Sequence, residues 1–204
     1  MKRRHPRTKI LLILASLCLA GALFHRAARF IRDRQESRRE ELLLPAIREA
    51  AYRHGLESSL VRALVWKESR FRADAVGTKG EIGLMQITGG AVADWARRNR
   101  KPTPTRAQLF NPEVNLEIGC WYLSLSQKHW DGYASRRILE LAEYNAGRTK
   151  VLKDWKPEKP EDEVSLDAIT FPGTQDYIRQ ILARQEHYKK LEKETPAIGA
   201  SRMK

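Results

Sequence analysis

Across residues 42–193 apolar side chains recur at three- and four-residue intervals, and Val and Ile nowhere alternate with polar residues for long enough to argue a sheet. A chain patterned this way can bury its apolar surface only by packing helix stripes together, so the expected fold is nearly all α. The stops divide it up. A segment over 42–54 places Leu43, Ile47, Ala50 and Ala51 on one side and ends at Gly55. Glu57 or Ser58 can cap the next helix, which carries Leu60, Val61, Leu64 and Val65. Gly77, Gly80 and Gly83 punctuate a loop, and 91–98 reads as helix again. After a Pro-containing loop over 101–105, Asn111-Pro112 supplies a cap and a first-turn proline for a helix reaching about Lys128, with Leu116, Cys120 and Leu123 inward. Asp131-Gly132 makes a turn, and Ser135 can cap a helix carrying Ile138, Leu141 and Ala142. Residues 153–170 read as a polar surface loop, and 175–193 as a last helix with Tyr177, Ile178, Ile181 and Leu182 on its apolar side. No internal repeat is present.

The stretch over 64–87 carries the chemistry. Leu64 and Val61 lie four and seven residues before Glu68, so this carboxylate falls on the apolar side of its own helix, near the C-terminal end. Burial and the negative end of the helix dipole both disfavour its charged form. An acid that keeps its proton near neutral pH can donate it to a leaving group. Spacing alone also allows a solvated Glu68 paired with Lys67 or Arg72.

The 204 residues allow one compact domain with extensions. The net charge of +13 is mostly in the leader: residues 1–40 hold 11 Lys+Arg against 3 Asp+Glu, and the rest 27 against 22. That distribution argues against a nucleic-acid partner. A basic segment over 1–9 precedes an uncharged apolar run over 10–24, the form of an export signal or membrane anchor. Ala20-Gly21-Ala22 offers a cleavage site, but basic residues follow at once, and Leu17 before Cys18 does not suit a lipoprotein signal. An uncleaved anchor is the preferred reading and a cleaved signal the alternative. Residues 25–41 then form a charged juxtamembrane linker, 42–193 the domain, and 194–204 a flexible tail. Two cysteines, one in the leader, argue against an internal disulfide, and Cys120 reads as a small buried hydrophobe. No His/Cys/Asp/Glu spacing or phosphate loop indicates a metal or cofactor, and none is expected.

Five motifs follow one another in order: Glu68-Ser69-x-Phe71, G-L-M-Q-I over 83–87, Asn115-x-x-x-Gly119-x-x-Tyr122-Leu123, Tyr144-Asn145-Ala146-Gly147, and Phe171-Pro172-x-Thr174-x-Asp176-Tyr177. In these the sequence resembles the soluble lytic transglycosylases, over about residues 43–190. The resemblance implies a goose-lysozyme-like helical domain with a substrate groove. It implies cleavage of the β-1,4 bond between N-acetylmuramic acid and N-acetylglucosamine in peptidoglycan, with 1,6-anhydro-muramyl ends. Glu68 matches the family's single acid and base. Tyr144 matches the tyrosine that hydrogen-bonds that acid, and Gln86 a substrate contact. Met85 lines the groove or packs in the core. Asn145 binds ligand or shapes a turn, Tyr177 closes the groove or packs, and Ser69 completes the helix end or contacts substrate. Trp66, Trp95 and Trp121 fall in helices, where packing is the better reading than sugar stacking.

Three positions depart from the family pattern. Gly77 stands where many members carry a serine, the segment after Gln86 lacks the usual proline, and Gly173 replaces a glutamate. Glu81 stands where alanine is commonest, and caps its loop, pairs with Lys79 or serves as a second carboxylate. Asp74 is the other candidate for that last role. Three functions result: a lytic transglycosylase anchored in the cytoplasmic membrane with its domain outside, with peptidoglycan strands and a cell-wall assembly or secretion machine as its partners; a lysozyme-like muramidase using Glu81 or Asp74 with Glu68; and a non-catalytic peptidoglycan-binding protein.

Overall fold

The computed structural model describes residues 6–194, with side chains from Leu17 onward. Residues 1–5 of the basic segment and 195–204 of the tail fall outside the described residues, as do the side chains in the first part of the apolar run. Among the described residues no helix is long and apolar enough to cross a membrane. The chain divides into two units between Leu42 and Leu43.

Helix α1 spans Pro6–Arg53. It is continuous where the sequence suggested a linker followed by a separate helix. Pro45 lies inside it and removes one backbone donor, yet the helical register of Ile47, Ala50 and Ala51 continues and buries all three. In the second unit follow α2 (Ser58–Ser69), α3 (Gly89–Asn99), α4 (Pro112–His129), α5 (Arg136–Ala146), α6 (Arg148–Asp154) and α7 (Pro172–Glu194). Short 3₁₀ turns at Gln108–Phe110 and Leu166–Ala168 complete the order. No strand forms among the described residues, and isolated bridges join Val76 to Ile82 and Ile82 to Ile87. The fold is helical, as the periodicity requires.

Each inward position has a partner helix. Leu60, Val61, Leu64 and Val65 of α2 are buried with Ile178 and Ile181 of α7 and Leu139, Leu141 and Ala142 of α5. Leu116, Cys120 and Leu123 of α4 are fully buried. Trp66 and Trp95 are buried and Trp121 partly so. The stretch over 153–170 is mostly loop, but α6 begins before it, and Trp155, Val164 and Ile169 pin it to the core.

Capping follows the sequence at Asn111, whose Oδ1 accepts from the N–H groups of Glu113 and Val114, and departs from it at Glu57, Ser58 and Ser135. Glu57 makes no capping bond to α2, because its carboxylate is taken by Arg137, Gln185 and Lys189 from α5 and α7. Ser58 Oγ is buried without a partner. Ser135 also leaves its helix uncapped, and its Oγ instead accepts from the Val164 N–H at 2.7 Å. Tertiary partners outcompete local ones at both positions.

One buried side chain shapes the loop between α2 and α3. Asn115 of α4 accepts from the Met85 N–H at 2.8 Å and donates to the carbonyls of Ile82 (2.9 Å) and Leu109 (2.8 Å). Gly83, at φ +79°, lies against the Asn115 amide, and a Cβ there would also sit 2.9 Å from the Leu109 carbonyl. Gly119, one turn along α4, leaves the space that the Met85 side chain fills. Asn115→Ala would orphan the Met85 N–H and the Leu109 carbonyl, while the Ile82 carbonyl keeps the Ile87 N–H, so it should destabilise the protein by roughly 2 kcal/mol or more in urea unfolding. A cost under about 1 kcal/mol would show that the loop holds itself.

Candidate active site

Glu68 sits in the last turn of α2, one residue before its end. The chain then turns sharply, with Arg70 at φ +54° and Phe71 at φ +59°, a conformation uncommon for side chains of this size. The burial of Phe71 holds the second of these in place. Ser69 is buried, and its Oγ donates to the Val65 carbonyl of its own helix at 3.2 Å. It therefore finishes the helix.

Helix α7 crosses α2 and brings Tyr177 to the acid. The buried Tyr177 hydroxyl donates to Glu68 Oε1 at 2.5 Å. This corrects the assignment of Tyr144 to that bond: Tyr144 donates to the Met85 carbonyl at 2.9 Å. The reason is positional. Tyr144 projects from the end of α5 onto the Asn115-pinned loop, whereas Tyr177 lies on the α7 stripe that packs against α2. Glu68 charge still acts on both phenols, and burial with that charge holds both well above the usual tyrosine range.

Burial pushes the Glu68 carboxyl up to about 7, against the Tyr177 hydrogen bond and the Lys67 charge, which pull it down; the Glu81 charge adds to the rise. Its protonated form is thus the native one below neutrality. Glu140 is a second fully buried carboxyl pushed up to about 7 by burial, but Arg137 Nη1 donates to both its oxygens, at 3.2 and 3.0 Å. A shifted carboxyl locked on an arginine is structural.

A cleft of about 250 Å³ is lined by Gln86, Ile87, Tyr122, Tyr144, Asn145 and Gly147, among others, and the Glu68 charge acts on Tyr144 of its wall. Tyr122 and Tyr144 meet edge to face, with centroids 5.8 Å apart. Gln86 is held at φ +47°, and its Nε2 donates to the carbonyls of Gly83 (2.9 Å) and Ala75 (3.4 Å). Strain of this kind on a bulky polar residue marks functional loops. Asn145 is exposed and its Oδ1 accepts from Thr174 Oγ1 at 2.8 Å. Met85 is fully buried and lends the site its carbonyl rather than its side chain, because Gly119 opens the core to it. Glu81 Oε2 caps its loop by accepting from the Lys79 N–H at 3.0 Å. Asp74 is exposed. Among the described residues no cluster could hold a metal ion.

This geometry meets its relatives in one comparison. The profile of the transglycosylase SLT domain matches residues 45–165. The chain belongs to the SLT transglycosylase family. Membrane-bound lytic murein transglycosylase C of Yersinia pestis (strain Pestoides F) is 33% identical over 128 residues, 60% of this chain and 36% of the relative. The same protein from Yersinia pseudotuberculosis (strain IP 31758) matches equally. Among solved structures, an inactive mutant of the lytic transglycosylase Slt from Pseudomonas aeruginosa superposes with a TM-score of 0.64 at 30% identity, covering 72% of this chain and 24% of that one. The 70 kDa soluble lytic transglycosylase from Escherichia coli gives 0.62 at 25% identity, again over 72% and 24%. The chain thus spans about a third of the length of the curated relatives it matches.

Within this SLT domain, sequence reasoning missed Glu143. It is buried and accepts from Trp130 Nε1 and from His129 Nδ1, each at 2.8 Å, while Arg148 donates to His129 Nε2 at 2.7 Å. Leu139 four residues earlier was the available signal, the same spacing that singled out Glu68.

The upward shift of the Glu68 pKa has a thermodynamic sign. The folded state favours the protonated carboxyl, so stability is undiminished below about 4.5 and falls as pH rises towards about 7. Glu68→Gln should therefore stabilise the protein by about 1–3 kcal/mol at about pH 8 and by little at about pH 4, in paired denaturation curves. Equal effects at both pH values would mean that Glu68 ionises like an exposed carboxylate.

Proposed function

We propose that this SLT domain is a peptidoglycan lytic transglycosylase. Glu68 protonates the glycosidic oxygen between N-acetylmuramic acid and N-acetylglucosamine. The acetamido group of the muramyl unit stabilises the positive charge that develops on its ring. Glu68, now ionised, takes the proton of the 6-hydroxyl, which closes the 1,6-anhydro ring and returns the acid to its starting state. The observation that carries this reading is a carboxyl that keeps its proton to about 7 at a buried helix end, with its charge felt by Tyr144 of the cleft wall. Two further points support it. The relatives are named as lytic transglycosylases, and the inactive Pseudomonas mutant carries glutamine in place of one glutamate.

Tyr177 would hold Glu68 in one orientation and limit the rise of its pKa, since a hydrogen bond to the carboxylate favours the ionised form needed in the second step. Gln86 and Asn145 would present amide groups to the sugar hydroxyl and acetamido groups. The basic and apolar leader would tether the domain to the cytoplasmic membrane, with the domain in the bacterial envelope outside it; export with cleavage of the leader is the other arrangement. Service to an assembly or secretion machine would follow from such a tether.

The Glu81 charge acts on Glu68, which keeps a muramidase reading open with Glu81 as the second carboxylate. Exposed Asp74 has no such support. Digestion of purified sacculi separates the two: mass spectrometry should show 1,6-anhydro ends, and reducing ends would establish hydrolysis. The rate should fall as pH rises through about 7. Glu68→Gln should lower it by roughly 10² to 10⁴. Digestion undiminished in that variant would remove Glu68 from the chemistry.

A further inference from the structure

Gly77 is a glycine for want of space. Its φ lies outside the left-handed region, so its backbone would accept any side chain, yet a Cβ there would strike Glu81 Oε2 and lie 2.7 Å from Gln86 Oε1. Both oxygens therefore lie within 2.7 Å of one point above the Gly77 α-carbon. Each is held by its own anchor. Glu81 Oε2 accepts from the Lys79 N–H, and the Glu81 carbonyl accepts from the Gly77 N–H at 2.8 Å. Gln86 Nε2 is fixed on the carbonyls of Gly83 and Ala75, so its Oε1 must face the other way. Among the described residues no donor meets Gln86 Oε1, and the Lys79 ammonium makes no ion pair with Glu81.

We propose that Gly77, Glu81 and Gln86 form an acceptor-only notch that binds the free ammonium of a de-N-acetylated glucosamine unit in the glycan. An ammonium offers three donors and can meet both oxygens, whereas an acetamido N–H offers one and would leave the other bare. The carboxylate adds a charge-assisted bond that no neutral sugar nitrogen can match. Gln86 also lines the cleft, which puts the notch at the edge of the proposed glycan path. The notch rests on the transglycosylase reading for its ligand class and makes Glu81 a specificity residue rather than a second catalytic acid.

The test is calorimetric binding of two tetrasaccharides, one of N-acetylglucosamine and one of glucosamine, in mildly acidic buffer. The full-length chain is used with Glu68→Gln, so that neither ligand is consumed. Adding Glu81→Gln should weaken the glucosamine tetramer roughly tenfold to a hundredfold and leave the N-acetylated one within about threefold. Gly77→Ala, which fills the notch without removing the charge, should weaken the glucosamine tetramer as well, so that non-specific attraction of a polycation is separated from binding in the notch. Equal loss of both ligands, or loss of neither, would overturn the proposal. A parent protein that digests no cell wall yet shows this preference would discard the transglycosylase reading and keep the notch.

Discussion

The arrangement depends on one hydrogen bond between two helices far apart in sequence. Tyr177 of α7 donates to Glu68 of α2 beside a buried apolar contact, with Val61, Leu64 and Val65 on one side and Ile178 and Ile181 on the other. The packing that excludes water from the helix end raises the pKa of Glu68, and the phenol limits how far it rises. Neither effect works alone. Burial without the phenol would leave a carboxyl reluctant to ionise, and the phenol without burial would give an ordinary carboxylate.

The second constraint is the loop that faces this acid. Asn115 ties this loop to α4 by taking the Met85 N–H and donating to the carbonyls of Ile82 and Leu109, so buried backbone groups outside any regular element still find partners. Gly83 lets the backbone approach that amide, and Gly119 lets Met85 sink into the core. With Met85 buried, its carbonyl meets Tyr144 and Gln86 turns outward into the cleft. The strain at Gln86 is thus sustained by contacts on both sides of it.

Much of this was legible in the chain. Helical periodicity gave the fold, and the placement of Glu68 below Val61 and Leu64 gave its burial. The partner of Glu68 was not legible, because which tyrosine reaches an acid depends on how α5 and α7 cross α2, and the resemblance pointed to Tyr144. Local rules also failed at Glu57 and Ser135, where residues suited to capping were drawn away by Arg137, Lys189 and Val164. The pairing of Gly77 with Glu81 and Gln86 was hidden as well: each departure was visible alone, and only the fold shows that they occupy one space.

The central claim concerns where one proton resides, and a titration of the Glu68 side-chain carboxyl by ¹³C NMR reads it directly. The structure requires a midpoint of about 7. A midpoint near the ordinary 4.5 would mean that the helix end is wet, and the proposed acid would then be ionised where it has to donate.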